Sequence, residues 1–100
     1  MKGRELSFRR VSFGEVTMYS MDDCVHCGRM KPAFEEASKR TNTKMSIVSD
    51  STTEGARKIR QAGVTSFPTV IGEKKGRTHK YEGDRTLQSL IEFSKFIESY

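Results

Sequence analysis

The two cysteines of this 100-residue chain, Cys24 and Cys27, stand three positions apart in "SMDDCVHCGRMKP". A β-rich run, "VTMYS" at 16–20, ends just before two aspartates and the first thiol, and reads as a buried strand feeding a turn. From Cys24 to Thr41 the apolar positions Cys27, Met30, Phe34 and Ala37 recur every three or four residues, the spacing of one helix face. Both thiols are therefore expected at the start of a helix that follows directly on a strand. Three uses of such a pair compete: a structural disulfide, half of a metal site, or a dithiol that exchanges electrons.

A disulfide enclosing two residues restricts the unfolded chain very little. A tetrahedral zinc site needs four ligands. His26 lies between the cysteines and His79 stands alone on a predicted strand, with no second cysteine pair to complete a set, so no metal site is expected within one chain. Dithiol exchange itself requires no cofactor, and none is expected.

The rest of the chain reads as one α/β domain. "MSIVS" at 45–49 is a second strand, and "DSTT" after it can cap a helix carrying Ala56, Ile59 and Ala62 on one side and stopping at Gly63. In "VTSFPTVIG", Pro68 bars simple continuation of a strand and Thr69–Ile71 begins one. "EKKG" then turns the chain into "RTHKYEG", and a last helix from Thr86 aligns Leu87, Leu90, Ile91 and Ile97, with Phe93 nearby. Strands alternating with helices imply βαβ units laid on a sheet, and the final hairpin adds an antiparallel edge. The expectation is an α/β sandwich of about four strands in a mixed sheet with three helices. Residues 1–15 form a short N-terminal segment in which "LSFRRV" could add an edge strand, and residues 16–100 form the domain proper.

Hydrophobic residues at 34% and charged residues at 31% fit a folded globular chain. The net charge of +5 is spread over Arg9-Arg10, Lys39-Arg40, Arg57-Lys58 with Arg60, and Lys74-Lys75 with Arg77. Such dispersal describes solvated faces rather than a nucleic-acid footprint, and leaves a mild attraction for acidic partners. No window approaches the roughly 20 apolar residues of a membrane span, and the start "MKGRELSFRRVSFGEV" lacks an apolar stretch of signal-peptide length. As written, the chain is expected in the cytosol or nucleus. An oxidising compartment would require a leader ahead of this numbering or a dedicated cytosolic disulfide pathway.

With C-x-x-C at a strand-to-helix turn and a proline opening a later strand, residues 16–100 resemble the thioredoxin fold with a shortened N-terminus. "CVHCGRMKPAFEEAS" and "KYEGDRTLQSLIEF" are similar to a single catalytic domain of a protein disulfide isomerase, while "MYSMDDC" looks more like the approach to a glutaredoxin active site. The resemblance implies a thiol-disulfide oxidoreductase, isomerase-like or oxidase-like, acting as a monomer on protein thiols or disulfides, with glutathione or a sulfhydryl oxidase as further electron partners. A glutaredoxin-like or thioredoxin-like reductase, and a redox-inactive binding module of the same fold, are the competing readings.

The same resemblance assigns the site. Cys24 is the attacking thiol, helped to ionise by the helix start and by His26, and opposed in part by Asp22 and Asp23. Stabilising that thiolate also stabilises the reduced form, which places the expected potential nearer that of protein disulfide isomerase, about −180 mV, than that of thioredoxin, about −270 mV. Cys27 is the more buried, resolving thiol. Arg85 matches an arginine that approaches it in relatives. Val25 and the backbone of Phe67 meet the substrate, and Pro68 matches a cis-proline facing the dithiol. This chain departs from isomerase domains in carrying Asp23 for tryptophan, Val25 for glycine, Gly28 for lysine and Met18 where a buried glutamate is usual, so proton transfer is expected to use water or another group.

Overall fold

The computed structural model describes residues 14–99. Four strands and three helices follow in the order β1 (Glu15–Ser20), α1 (Val25–Arg40), β2 (Lys44–Ser49), α2 (Thr53–Ala62), β3 (Thr69–Lys74), β4 (Arg77–Lys80) and α3 (Leu87–Glu98). The sheet order is β2-β1-β3-β4, with β1 and β2 parallel and the other two pairings antiparallel. This is the mixed α/β sheet with three helices that the alternation of periods implies. The suggested edge strand in "LSFRRV" lies outside the described residues.

Period-two alternation decides which side of β1 is core. Val16, Met18 and Ser20 are buried while Thr17 and Tyr19 are half-buried. Met18 sits between Ile47 of β2 and Val70 of β3 in register, making an apolar row across three strands. Met30, Phe34 and Ala37 from α1 and Leu90 and Ile97 from α3 close over that face as one buried cluster, which also takes in Cys27. Both helices thus hold the sheet from the same side, and the α1 N-terminus is delivered to the end of β1.

Local chemistry fixes the ends of the elements. Thr52 caps α2, its Oγ1 accepting from Gly55 N at 2.9 Å, and Thr86 caps α3 by accepting from Ser89 N at 3.2 Å. Gly63 ends α2 in the left-handed conformation, with Val64 N donating back to Ile59 O at 3.2 Å. α1 runs unbroken through Pro32, whose missing N–H leaves the Gly28 carbonyl without its helical donor. The β3–β4 turn is tighter than "EKKG" suggests: Glu73 and Lys74 belong to β3, and Lys75 and Gly76, both at positive φ, form a two-residue hairpin turn. β4 is four residues long and strongly charged, as suits a sheet edge.

The α2 stripe differs from the sequence reading. Gly55 and Ile59 are buried, whereas Ala62 is exposed. In the first half of the helix Gly55 lies against the backbone of Ser49, while Ala62 in the last turn faces outward. A Cβ at position 55 would collide with the Ser49 carbonyl oxygen. Gly55→Ala is expected to cost about 1–3 kcal/mol, because a backbone atom cannot yield as a side-chain tip does. A chemical denaturation midpoint equal to that of the parent would contradict this packing.

Candidate active site: a disulfide at a helix start

After Ser20 the chain leaves β1 through Met21, Asp22 and Asp23. Asp23 adopts φ 63°, a conformation that aspartate tolerates better than bulky residues do. The Asp22 N–H donates to Asp50 Oδ1 at 2.9 Å, tying this turn to the loop that follows β2. Cys24 comes next in extended conformation as the N-cap of α1, with Sγ accepting from Cys27 N at 3.1 Å. Cys24 and Cys27 are joined by a disulfide, their Cα atoms 5.2 Å apart.

The two sulfurs differ in access. Cys27 is 5% exposed and belongs to the buried cluster, whereas Cys24 is half-buried and packs at that cluster's margin. The first turn of α1 carries unpaired backbone N–H groups and no acidic side chain, so a thiolate at the N-cap meets donors and the positive end of the helix. An incoming nucleophile therefore reaches Cys24 first, and in the reduced form Cys24 is the sulfur best placed to ionise.

A groove of about 620 Å³ opens beside the disulfide. Met18 and Ser20 of β1, Ile47 and Ser49 of β2, and Cys24 and Cys27 at the start of α1 form its walls, with Asp22, Asp23, Val25 and Lys31 among its exposed lining. Val25 is 66% exposed, a large apolar side chain directly beside the reactive sulfur.

The other expected site residues are placed as follows. His26 is exposed on the first turn of α1 and does not line the groove. Phe67 is half-buried and packs on the same cluster as Cys24. The Phe67–Pro68 peptide is cis. The β1–β3 register pairs Tyr19 with Thr69, so one further step sets Pro68 beside Ser20, at the end of the sheet that leads into the cysteine turn. Arg85 is exposed in the loop between β4 and α3 and is not a groove residue.

The loop bearing Arg85 is well tied. The Tyr81 hydroxyl donates to the Asp84 carbonyl oxygen, and Asp84 Oδ1 accepts from Thr86 N at 3.2 Å and Thr86 Oγ1 at 2.7 Å. Hydrogen bonds from Ser89 and Thr86 hold the Asp84 carboxyl below the usual carboxylate range, and burial pushes the Tyr81 phenol up. Contributors missed in the sequence include Asp50, which anchors the turn, and Ser49 and Lys31, which line the groove. The signal for Lys31 was present, since it lies four residues after Cys27 and seven after Cys24, on their helix face.

Among the described residues no three His, Cys, Asp or Glu side chains gather as a metal-binding group. No helix there is long and apolar enough to cross a membrane. A mixed four-stranded sheet with helices on it, and a redox-capable C-x-x-C pair at the N-terminus of the first helix, define the class of thioredoxin-fold redox domains. The thioredoxin family model matches residues 15–96, and the chain belongs to that family.

Curated relatives include the "Thioredoxin domain-containing protein" of Theileria parva, 29% identical over 72 residues, covering 71% of this chain and 33% of that protein. The protein disulfide-isomerase of Saccharomyces cerevisiae is 27% identical over 84 residues, covering 80% of this chain and 16% of the isomerase. The chain thus spans a third or less of the length of either. Among solved structures, the J-Trx1 fragment of ERdj5 superposes with a TM-score of 0.78 at 23% identity, covering 100% of this chain and 51% of that one. Thioredoxin from Aeropyrum pernix gives 0.71 at 23% identity, covering 97% and 86%. Both structural likenesses concern the fold.

Proposed function

We propose that this domain exchanges disulfides with protein clients through Cys24 and Cys27, with the poise of an isomerase or oxidase. The observation that carries the reading is the asymmetry of the pair: an accessible sulfur at a helix N-cap, bonded to a buried one a single turn inside. In the oxidising direction a client thiolate attacks Cys24 Sγ, the Cys24–Cys27 bond breaks, and Cys27 leaves as the thiolate. A second client thiolate then displaces Cys24 and the client holds the new disulfide. In the reducing direction the Cys24 thiolate attacks a client disulfide, and Cys27 resolves the mixed disulfide by attacking Cys24 Sγ. Electrons balance in both directions, and only protons pass to water.

Val25 supplies an apolar contact, and the Phe67 backbone beside Pro68 a segment against which an extended client can pair as an added strand. His26 favours the Cys24 thiolate from the exposed side. Arg85 is retained as a candidate to assist Cys27 from the β4–α3 loop. The kinship with protein disulfide-isomerases in sequence supports this reading over a purely structural module. A reductase is the second reading, favoured by Asp22 and Asp23, whose charges oppose the Cys24 thiolate and so lower the oxidising power of the pair.

Equilibration in glutathione buffers separates the two. The expected potential lies nearer about −180 mV than about −270 mV, with recovery of scrambled ribonuclease activity. A potential at the thioredoxin end together with insulin reduction and no ribonuclease recovery would assign the domain as a reductase. No exchange with either client would leave a binding module.

A further inference from the structure

Resolution by Cys27 poses an electrostatic problem. The attacking species must be a thiolate, yet Cys27 is 5% exposed and lies among apolar side chains, which disfavour a buried charge. Directly across its groove, β1 presents Met18 and Ser20 and β2 presents Ile47 and Ser49, none of which carries a charge or titrates near neutral pH. The cysteine turn contributes Asp22 and Asp23, whose charges oppose a second anion. Tyr81, packed against the same cluster, has its phenol pushed further up by burial and stays neutral. Among the described residues, Lys31 is the one cation in the groove lining.

Its placement suits the task. Residues 24, 27 and 31 follow helical spacing on one face of α1, and a helical side chain leans toward the turn before it, which here contains Cys27 and Gly28. A Cβ at Gly28 would meet nothing within 4 Å, so the helix surface beside Cys27 is open at that position. His26 and Arg29 on the same helix, and Arg85 in the β4–α3 loop, do not line the groove.

We propose that Lys31 is the electrostatic partner of the Cys27 thiolate, easing its formation when Cys27 attacks a mixed disulfide and its departure when a client opens the Cys24–Cys27 bond. The proposal rests on the exchange reading above. In the resolving step the bond between Cys27 and Cys24 forms, the bond between Cys24 and the client sulfur breaks, and the electron pair leaves with the client thiolate. The Cys27 proton passes to water in the groove. Lys31 accepts no proton and contributes only its charge.

The test has two arms. In a Cys24→Ser background, where serine still caps the helix, alkylation of Cys27 is followed against pH. Adding Lys31→Met is expected to move the midpoint to higher pH and to slow the reaction at neutral pH about three- to tenfold. Lys31→Arg is expected to restore it, and Arg29→Met, which removes a cation of the same helix outside the groove, to leave it unchanged. In the intact dithiol, Lys31→Met is expected to prolong the mixed disulfide with a client by a similar factor. Equal alkylation with and without Lys31, or an equal shift from Arg29→Met, overturns the proposal. Because alkylation needs no client, a protein that exchanges nothing would defeat the functional reading while the first arm still decides the role of Lys31.

Discussion

Cys24→Ser is expected to abolish disulfide exchange with any protein client, and Cys27→Ser to stop it halfway. The difference follows from the depth of the two sulfurs. Without Cys24, the cysteine that remains is a buried residue and a folded client cannot reach its sulfur in line. Without Cys27, the accessible nucleophile at the N-cap still attacks, but nothing displaces the client, so a covalent adduct accumulates. Non-reducing gels with an oxidised client read the result: a band at the summed mass with Cys27→Ser, absent with Cys24→Ser. Adducts of equal yield from both variants would show that the sulfurs are interchangeable, against the asymmetry seen here.

The largest loss of stability is expected from Phe34→Ala. This ring is fully buried at the centre of α1, within the cluster that α1, α3 and the Met18 row share. Deleting it removes apolar burial and leaves a cavity that two helices and a sheet cannot collapse together, at a cost of about 3–5 kcal/mol. Set against the roughly 5–15 kcal/mol by which small domains are stable, that is a large share of the total. Urea unfolding should show a much lower midpoint with little change in slope. A shift below about 1 kcal/mol would mean that the α1 interface is far more pliable than its packing suggests.

The α1 stripe, the cap in "DSTT", the start of the last helix near Thr86 and the succession of strands and helices along the chain were legible in the sequence, because each follows from a local period or a side chain that satisfies a helix end. Ser94 was not legible: it is a polar residue buried in the middle of α3, sustained there by donating its hydroxyl to the Leu90 carbonyl at 3.1 Å. Nor was the exposure of Ala62, which the helical period alone places on the stripe with Ile59. The cysteine turn could be read, but the groove beside it could not, since one of its walls arrives with β2. Helix spacing alone would have drawn attention to Lys31, but only the groove distinguishes it from Arg29.

The Glu98 carboxylate accepts the Gly14 N–H at 2.9 Å and lies 3.7 Å from the Lys74 ammonium, which ties the first residue before β1 to the last turn of α3. The cysteines lie at the other end of β1, five residue steps or about 17 Å along the strand. Gly14 and Glu98 therefore share a mounting point on the pole far from the sulfurs. Both ends of the described fold are thus held away from the sulfurs, and the reactive pole is left free of them.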